Sequence, residues 1–489
     1  MKKKIIVWLD NELSRFGFVN SINKKGNFEI SAIIDVPDKS KSFFNNQKFV
    51  QFREKWFIHD HIQVKKKYDL NYLKQFEEKY DIDLWDLAHS ERHFYKFNEF
   101  YNFSDDEILS ILQQECQLFE NMLNKIKPDC VILQLPFFHY NNLFFLICRK
   151  LNIKTLFLRS ARVTSNSKVI VSQHYELLDK EHVNETSGQI IKPITKNPKN
   201  SISQKQISSK FVTSKKDLIR ASLKYIFSAN SSPNKNYNYY GRKKSKVFSN
   251  YLSGYLKTWL RKKFIDSKLS QNIDLETPFI YFPLHIEQEL SLLTLAPFYT
   301  NQITVIENIA KSIPIDYKLY VKEHPLMYAR SWRDTRIYQS LMKMPNVRLI
   351  HPSFNSDELI KKSKLVITIA GTASIEAGFH KKSSIVFSDT TFSHLPFVTR
   401  AKSFEDLPSI IRKSLKNEFD SKIFENFIHY IDSISFPVNY IDLSLKSSEI
   451  FHYGGFLVDI EIDHKKMLDF LSSYEFEFNL IADAFIEKI

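Results

Sequence analysis

Three stretches in the second half of the sequence place polar and charged residues where apolar runs stop. They are FPLHIEQELS (282–291), YVKEHP (320–325) and IAGTASIEAG (369–378). In the second, Lys322 and a protonated or hydrogen-bond-donating His324 can offset charge developing on a phosphate, and Pro325 restricts the backbone that aims the imidazole. In the third, Gly371 permits a tight strand-to-helix turn. Thr372, Ala373 and Ser374 then present backbone N–H groups at a helix start, where unpaired donors and the helix dipole favour an anion. Glu376, one turn in, either caps the helix or accepts hydrogen bonds from a ribose. The first stretch adds His285, Glu287 and Glu289 just past a strand. Singly, each has a plainer use: a strand stopped by a proline, or a helix begun on a hydroxyl cap. In combination they describe a site for a phosphorylated leaving group.

Other candidates are weaker. His89 and His93 in HSERH have a spacing that suits zinc, but the Glu is misplaced for HExxH and no third ligand is in view, so a surface helix is expected. His59 and His61 in FIHDHI read as strand residues. Asp81 and Asp83 in YDIDLW resemble the metal-binding DxD of one glycosyltransferase class, yet they stand in an aromatic, helical context rather than after a strand. No metal site is expected, and no GxxxxGK[ST], GxGxxG or GxSxG occurs.

The elements that would hold these residues follow from periodicity. KKIIVWLD (3–10), FEISAIID (28–35), KPDCVILQL (127–135) and IKTLFLRS (153–160) read as strands. SDDEILSILQQECQLFENMLNKI (104–126) reads as a helix with a Ser N-cap and an acidic first turn. After a stretch rich in Ser, Asn, Lys and Pro, a second alternation begins: strands at 278–284, 317–324, 346–352, 364–371 and 383–389, with helices between. Such alternation predicts doubly wound parallel sheets with the ligand at the C-terminal strand ends. The expected division is 1–183 as an N-terminal Rossmann-like domain and 184–274 as linker and mobile loops. The linker carries a short helix near 215–227 and a basic helix at 251–266. Residues 275–403 form a second, C-terminal α/β domain and 404–489 a helical segment that packs back.

At 489 residues the chain exceeds one ordinary core, and 43% hydrophobic content with 14% aromatics is globular. No run reaches the roughly 20 apolar residues of a membrane helix, and IIVWL breaks at Asp10 as a first strand does, not a secretory peptide. Cys116, Cys130 and Cys148 show no CxxC pairing and read as reduced core thiols of a cytoplasmic protein. The formal charge of +14 favours an anionic partner, although a coding bias toward Lys, Asn, Ile, Phe and Tyr supplies lysines without any function. Nothing resembles a nucleic-acid-binding motif.

Read together, FPLHIEQELS, YVKEHP, NVRLIHP and VITIAGTASIEAGFHKKSSIVF resemble the bacterial capsule polysaccharide biosynthesis family, which includes Kdo transferases. The resemblance is good over about 275–395 and architectural before it. It implies a GT-B glycosyltransferase, with two Rossmann-like domains facing each other across a cleft, 1–183 as the acceptor domain and 275–403 as the nucleotide-sugar-binding domain. By position it makes Lys322, His324 and Pro325 the element that contacts the nucleotide phosphate. Gly371, Thr372 and Ser374 match the glycine turn, Glu376 the acid after it, and Glu289 the glutamate closing an LH-x-QPE stretch. The sequence departs there, with Glu287 in place of the glutamine and Gln288 in place of the proline. The resemblance further implies a metal-independent enzyme with no cofactor beyond a nucleotide-sugar co-substrate, CMP-activated as in Kdo members. Its acceptor would be a surface polysaccharide or lipid-linked glycan met in the cytoplasm, with His324 and a carboxylate, Glu289 or an Asp or Glu of the N-terminal domain, as catalytic groups. The excess positive charge and the basic helix at 251–266 would hold such an enzyme at the inner face of an anionic membrane. A CDP-polyol phosphotransferase of teichoic-acid type, a nucleotide-sugar epimerase and a non-catalytic assembly scaffold are the competing readings.

Overall fold

In a computed structural model, the structure describes residues 2–94, 96–162, 167–175, 215–228 and 236–489. The linker expected from 184 lies outside the described residues up to 214 and again over 229–235, while a helix does occupy Lys215–Phe227. The described residues divide into two compact units. One draws on the chain's 1–175, 209–244 and 432–489, the other on 245–431. The boundary at 431/432 thus falls inside the 404–489 segment.

The first unit is built on β1 (Lys3–Asp10), β2 (Phe28–Asp35), β3 (Lys55–Phe57), β4 (Cys130–Leu133), β5 (Lys154–Ser160) and β6 (Val169–Ser172). Their order across the sheet is β3-β2-β1-β4-β5-β6, with β6 antiparallel at the edge. Ile5, Ile6, Val7, Trp8 and Leu9 are all buried, as a central parallel strand covered on both faces requires. The helix Asp105–Ile126 starts on a complete capping box between Ser104 and Glu107, which fixes its entry as the sequence predicts. The helices His464–Ser473 and Glu475–Lys488 complete this unit's core. Phe478, Ile481 and Phe485 join Phe16, Val19 and Ile22 of the helix Leu13–Lys25. The contact is close: a Cβ on Gly17 would collide with the Phe478 ring. The three cysteines are free and buried.

The second unit carries β7 (Phe279–Pro283), β8 (Lys318–Lys322), β9 (Val347–Ile350), β10 (Leu365–Thr368), β11 (Ser384–Val386) and β12 (Val398–Arg400). The order is β12-β11-β10-β7-β8-β9, and every pairing is parallel. Numbered within its own unit, this is the same order as the first sheet: two doubly wound Rossmann-like sheets, each built outward in both directions from a first central strand. The direction of winding reverses between β7 and β10, and ligands of open α/β sheets bind at such a reversal, beyond the carboxyl ends of the strands. β3, β6 and β12 are short strands that the sequence reading does not single out; with three or four residues each, they offer little periodicity to read.

Candidate functional site

The three stretches singled out in the sequence emerge from β7 and β10, the strands flanking the reversal, and from β8 beside β7. β8 ends at Lys322, leaving Glu323 and His324 in the connection. Pro325 opens a 3-10 turn, Pro325–Arg330, for which His324 is the N-cap. The His324 Nδ1 accepts the Leu326 N–H at 3.2 Å, so the neutral ring carries its proton on Nε2, the atom available to a ligand. Burial, with the Lys322 and Arg333 charges nearby, pushes the His324 pKa down to about 4. Of the two forms considered from sequence, the neutral donor is therefore the one present at pH 7.

His285 joins the ends of β7 and β10. Its Nε2 lies 2.9 Å from the Thr368 Oγ1 and accepts the Ile369 N–H at 3.3 Å. Burial, with His324 and the Arg333 cation nearby, pushes its pKa down to about 3, which keeps it a neutral acceptor. Gln302 clamps its backbone on both sides, accepting from the His285 N–H at 2.8 Å and donating to its carbonyl at 3.1 Å. Gly371 is needed here for space: a Cβ would lie 2.6 Å from the Thr368 Oγ1 and 2.9 Å from the His285 Cε1.

Arg333, which the sequence reading does not single out, ties β7 to β8. Its Nε donates to the Glu323 Oε2 at 2.8 Å, its Nη1 to the Glu287 Oε1 at 2.7 Å, and its Nη2 to the His285 carbonyl. Glu323 also accepts the Tyr338 hydroxyl at 2.6 Å and the His324 N–H at 2.6 Å. Buried and compensated in this way, Glu323 is the residue that shapes the loop presenting His324. A cation had to exist for an acid buried in KEHP; which of the chain's basic residues supplies it is a tertiary fact.

Lys322 is buried, with its Nζ donating to the Ser356 Oγ at 2.9 Å. Burial lowers its pKa to about 8, against the opposing pull of Glu323 and Glu376. In the glycine turn, Thr372 donates its hydroxyl to the Glu376 Oε1 at 2.9 Å. Ser374 is buried, and its hydroxyl and N–H both go to the Gly371 carbonyl, at 2.8 and 3.3 Å, so its side chain closes the turn. Ala373 opens the helix Ala373–Phe379 and is buried. Glu289 is exposed and stands as N-cap of the short helix Leu290–Leu293; the carboxylate drawn into the Arg333 network is Glu287.

Elsewhere the expectations meet different surroundings. His59 lies in the 3-10 turn Ile58–His61 rather than in a strand, buried with its Nε2 2.9 Å from the Asp35 Oδ1. The helix Leu84–Ser90 ends before His93, so His89 and His93 do not share a helix face. Asp81 terminates one helix in a left-handed conformation and pairs with Lys150 at 2.7 Å, while Asp83 precedes the next helix. The first unit also holds a network the sequence does not reveal. His139 lies between two buried carboxylates, 2.8 Å from both Glu91 and Glu115. Burial alone would lower its pKa, but Glu115 and Glu91 raise it to about 9.

Over residues 177–432, just over half its length, the sequence matches the family described as capsule polysaccharide biosynthesis protein. The chain belongs to that family. No curated protein matches the sequence. Among solved structures, the fold is similar to a UDP-GlcNAc 2-epimerase from Methanocaldococcus jannaschii (14% identity, 88% of this chain and 99% of that one, TM-score 0.24). It is also similar to KpsC from Thermosulfurimonas dismutans in two forms. The first is a beta Kdo 2,4 transferase (12% identity, 61% and 79% coverage, TM-score 0.32), the second a beta Kdo 2,7 transferase (10% identity, 64% and 79%, TM-score 0.30). At such identities and scores these likenesses carry no argument about chemistry. Membership of the capsule family does, and it covers the unit in which the three strand ends meet.

Proposed function

We propose that this capsule-family protein is a glycosyltransferase that binds a nucleotide sugar at the β7, β8 and β10 ends and passes the sugar to a surface-polysaccharide or lipid-linked acceptor at the inner face of the membrane. The observation that carries the proposal is the joining of the three ends at the winding reversal through His285 and Arg333, with His324 presented from the same network. His324 donates its Nε2 proton in a hydrogen bond to the departing phosphate. Lys322, with a pKa near 8, becomes fully cationic when an anion settles beside it, which couples binding to proton uptake. The 371–376 turn lies against the phosphate or ribose. A carboxylate takes the acceptor proton or attacks the sugar, either Glu289, exposed past β7, or an Asp or Glu of the first unit. The groups supplied are cationic and hydrogen-bonding, so the reaction as proposed runs without a metal. CMP is the proposed nucleotide, from the family's Kdo transferases.

Incubating the full chain with a CMP-sugar and a lipid-linked primer, in parallel with CDP-glycerol and with UDP-sugars lacking acceptor, tests this reading. Acceptor-dependent release of CMP is expected. Polyol-phosphate transfer, acceptor-independent epimer release, or nucleotide binding with no turnover across the panel would replace it with the phosphotransferase, epimerase or scaffold reading respectively.

A further inference from the structure

The 25-residue helix Lys244–Lys268 in the second unit has two opposed faces. One packs on the unit. Ile265 is fully buried there, Arg261 donates to the Ser331 and Trp332 carbonyls at 3.1 and 3.0 Å, and a Cβ on Gly254 would touch the Ser331 Oγ at 3.7 Å. Residues 254, 258, 261 and 265 recur at helical spacing, so this face is continuous. On the far side runs a second stripe at the same spacing: Phe248, Leu252, Tyr255, Leu256, Trp259 and Leu260. All six are exposed, Phe248 by 67%, Tyr255 by 69% and Trp259 by 59%. Isolated exposed apolar residues need no explanation; a stripe of six along about three helical turns does.

The charges decide what covers it. The helix sequence contains seven Lys or Arg against one acid, Asp266. Lys263 and Lys262, the latter paired with Asp266 one turn on, border the stripe, with the Lys263 ammonium 5.9 Å from the Trp259 ring centroid. A second copy docking by this stripe would bring two such cationic helices together, which like-charge repulsion opposes. An anionic bilayer suits every part. The aliphatic residues enter the acyl boundary, Tyr and Trp rings sit at headgroup level, and lysines beside them extend to lipid phosphates. No helix of the described residues is long and apolar enough to cross a membrane, which is consistent with a helix lying along the surface.

We infer that the exposed face of Lys244–Lys268, centred on Leu256 and Trp259, is a docking surface for an anionic lipid bilayer. The inference deepens the reading that places the acceptor at the membrane, but it is drawn from the helix itself and tested without turnover, so either can fail alone.

Co-sedimentation of the full chain with vesicles of phosphatidylcholine, alone or mixed with phosphatidylglycerol, tests it. Binding is expected with phosphatidylglycerol, weakened by salt, with a blue shift of tryptophan emission that Trp259→Tyr removes. Leu256→Glu/Trp259→Glu should abolish sedimentation, and Lys262→Gln/Lys263→Gln should weaken it roughly ten-fold or more. All substituted positions are exposed, so thermal unfolding should be unchanged. Equal sedimentation of the Leu256→Glu/Trp259→Glu variant, absence of binding to phosphatidylglycerol vesicles, or a dimer in light scattering that this variant makes monomeric would each overturn the inference.

Discussion

The Nε2 of His285 lies 2.9 Å from the Oγ1 of Thr368, and this contact couples the loop after β7 to the loop after β10. Since Arg333 holds the His285 carbonyl and also Glu323, the loop after β8 belongs to the same unit of structure. The site is therefore one hydrogen-bonded assembly, and its members fail in different ways when removed.

Gly371→Ala forces a methyl group into the space between Thr368 and His285, where the contacts would be 2.6 and 2.9 Å. Overpacking of this kind costs about 1–3 kcal/mol. Urea unfolding should show that loss, and calorimetric titration should show weakened nucleotide binding, because the strain falls on the turn itself.

Arg333→Met leaves Glu323 buried without its cation. Breaking a buried pair from one side costs about 3–5 kcal/mol, so a large drop in unfolding free energy is expected for this variant. Tyr338→Phe removes only one of the partners of Glu323 and should cost about 1–2 kcal/mol. Near-equal losses for the two would contradict the ranking.

The two units should respond to pH in opposite directions. His285 and His324 have folded pKa values near 3 and 4, below the ordinary 6.5. The unfolded chain binds their protons first, so their contribution to stability is present above about pH 6.5 and is lost as pH falls toward 4. His139 in the first unit is raised to about 9, so its contribution is present below pH 6.5 and is lost as pH rises through 9. Hydrogen exchange resolved by segment at pH 5, 7 and 9 should show the second unit loosening at the acid end and the first at the alkaline end. His139→Gln should remove the alkaline trend.

Much of this is legible in the sequence. The central strands are nearly all buried, so their apolar runs marked them. The polar residues after β7, β8 and β10 interrupt those runs, which marks them as site candidates. What stayed hidden depends on distance in sequence. Arg333 follows its partner Glu323 by ten positions through an irregular loop, and Gln302 reaches His285 from the first turn of a helix. No periodicity encodes such pairings. Side-chain direction was hidden as well. Ser374 has the residue type of an anion-binding turn, yet its hydroxyl bonds to the Gly371 carbonyl. Glu287, where the family stretch has glutamine, meets Arg333, while Glu289 faces outward. The exposed stripe on Lys244–Lys268 has helical spacing in the sequence, but only packing tells which face of the helix is left uncovered.

His324→Ala removes the imidazole that would meet the departing phosphate, while Glu323, Arg333 and Tyr338 still hold the loop. Losing one such preorganised donor costs about 100- to 1,000-fold in turnover. Steady-state kinetics should show that loss in kcat, with the Tm of the variant close to that of the parent protein.

Thermal unfolding of the parent protein and His324→Ala with CMP, CDP, UDP and GDP addresses the donor site itself. A ligand at 100 times its Kd stabilises the folded state by about 2.7 kcal/mol, enough to shift Tm visibly. The account predicts a rise in Tm with CMP above the other nucleotides, and a much smaller rise in the variant. No shift with any of the four, or an equal shift in both proteins, would contradict a nucleotide phosphate held at His324.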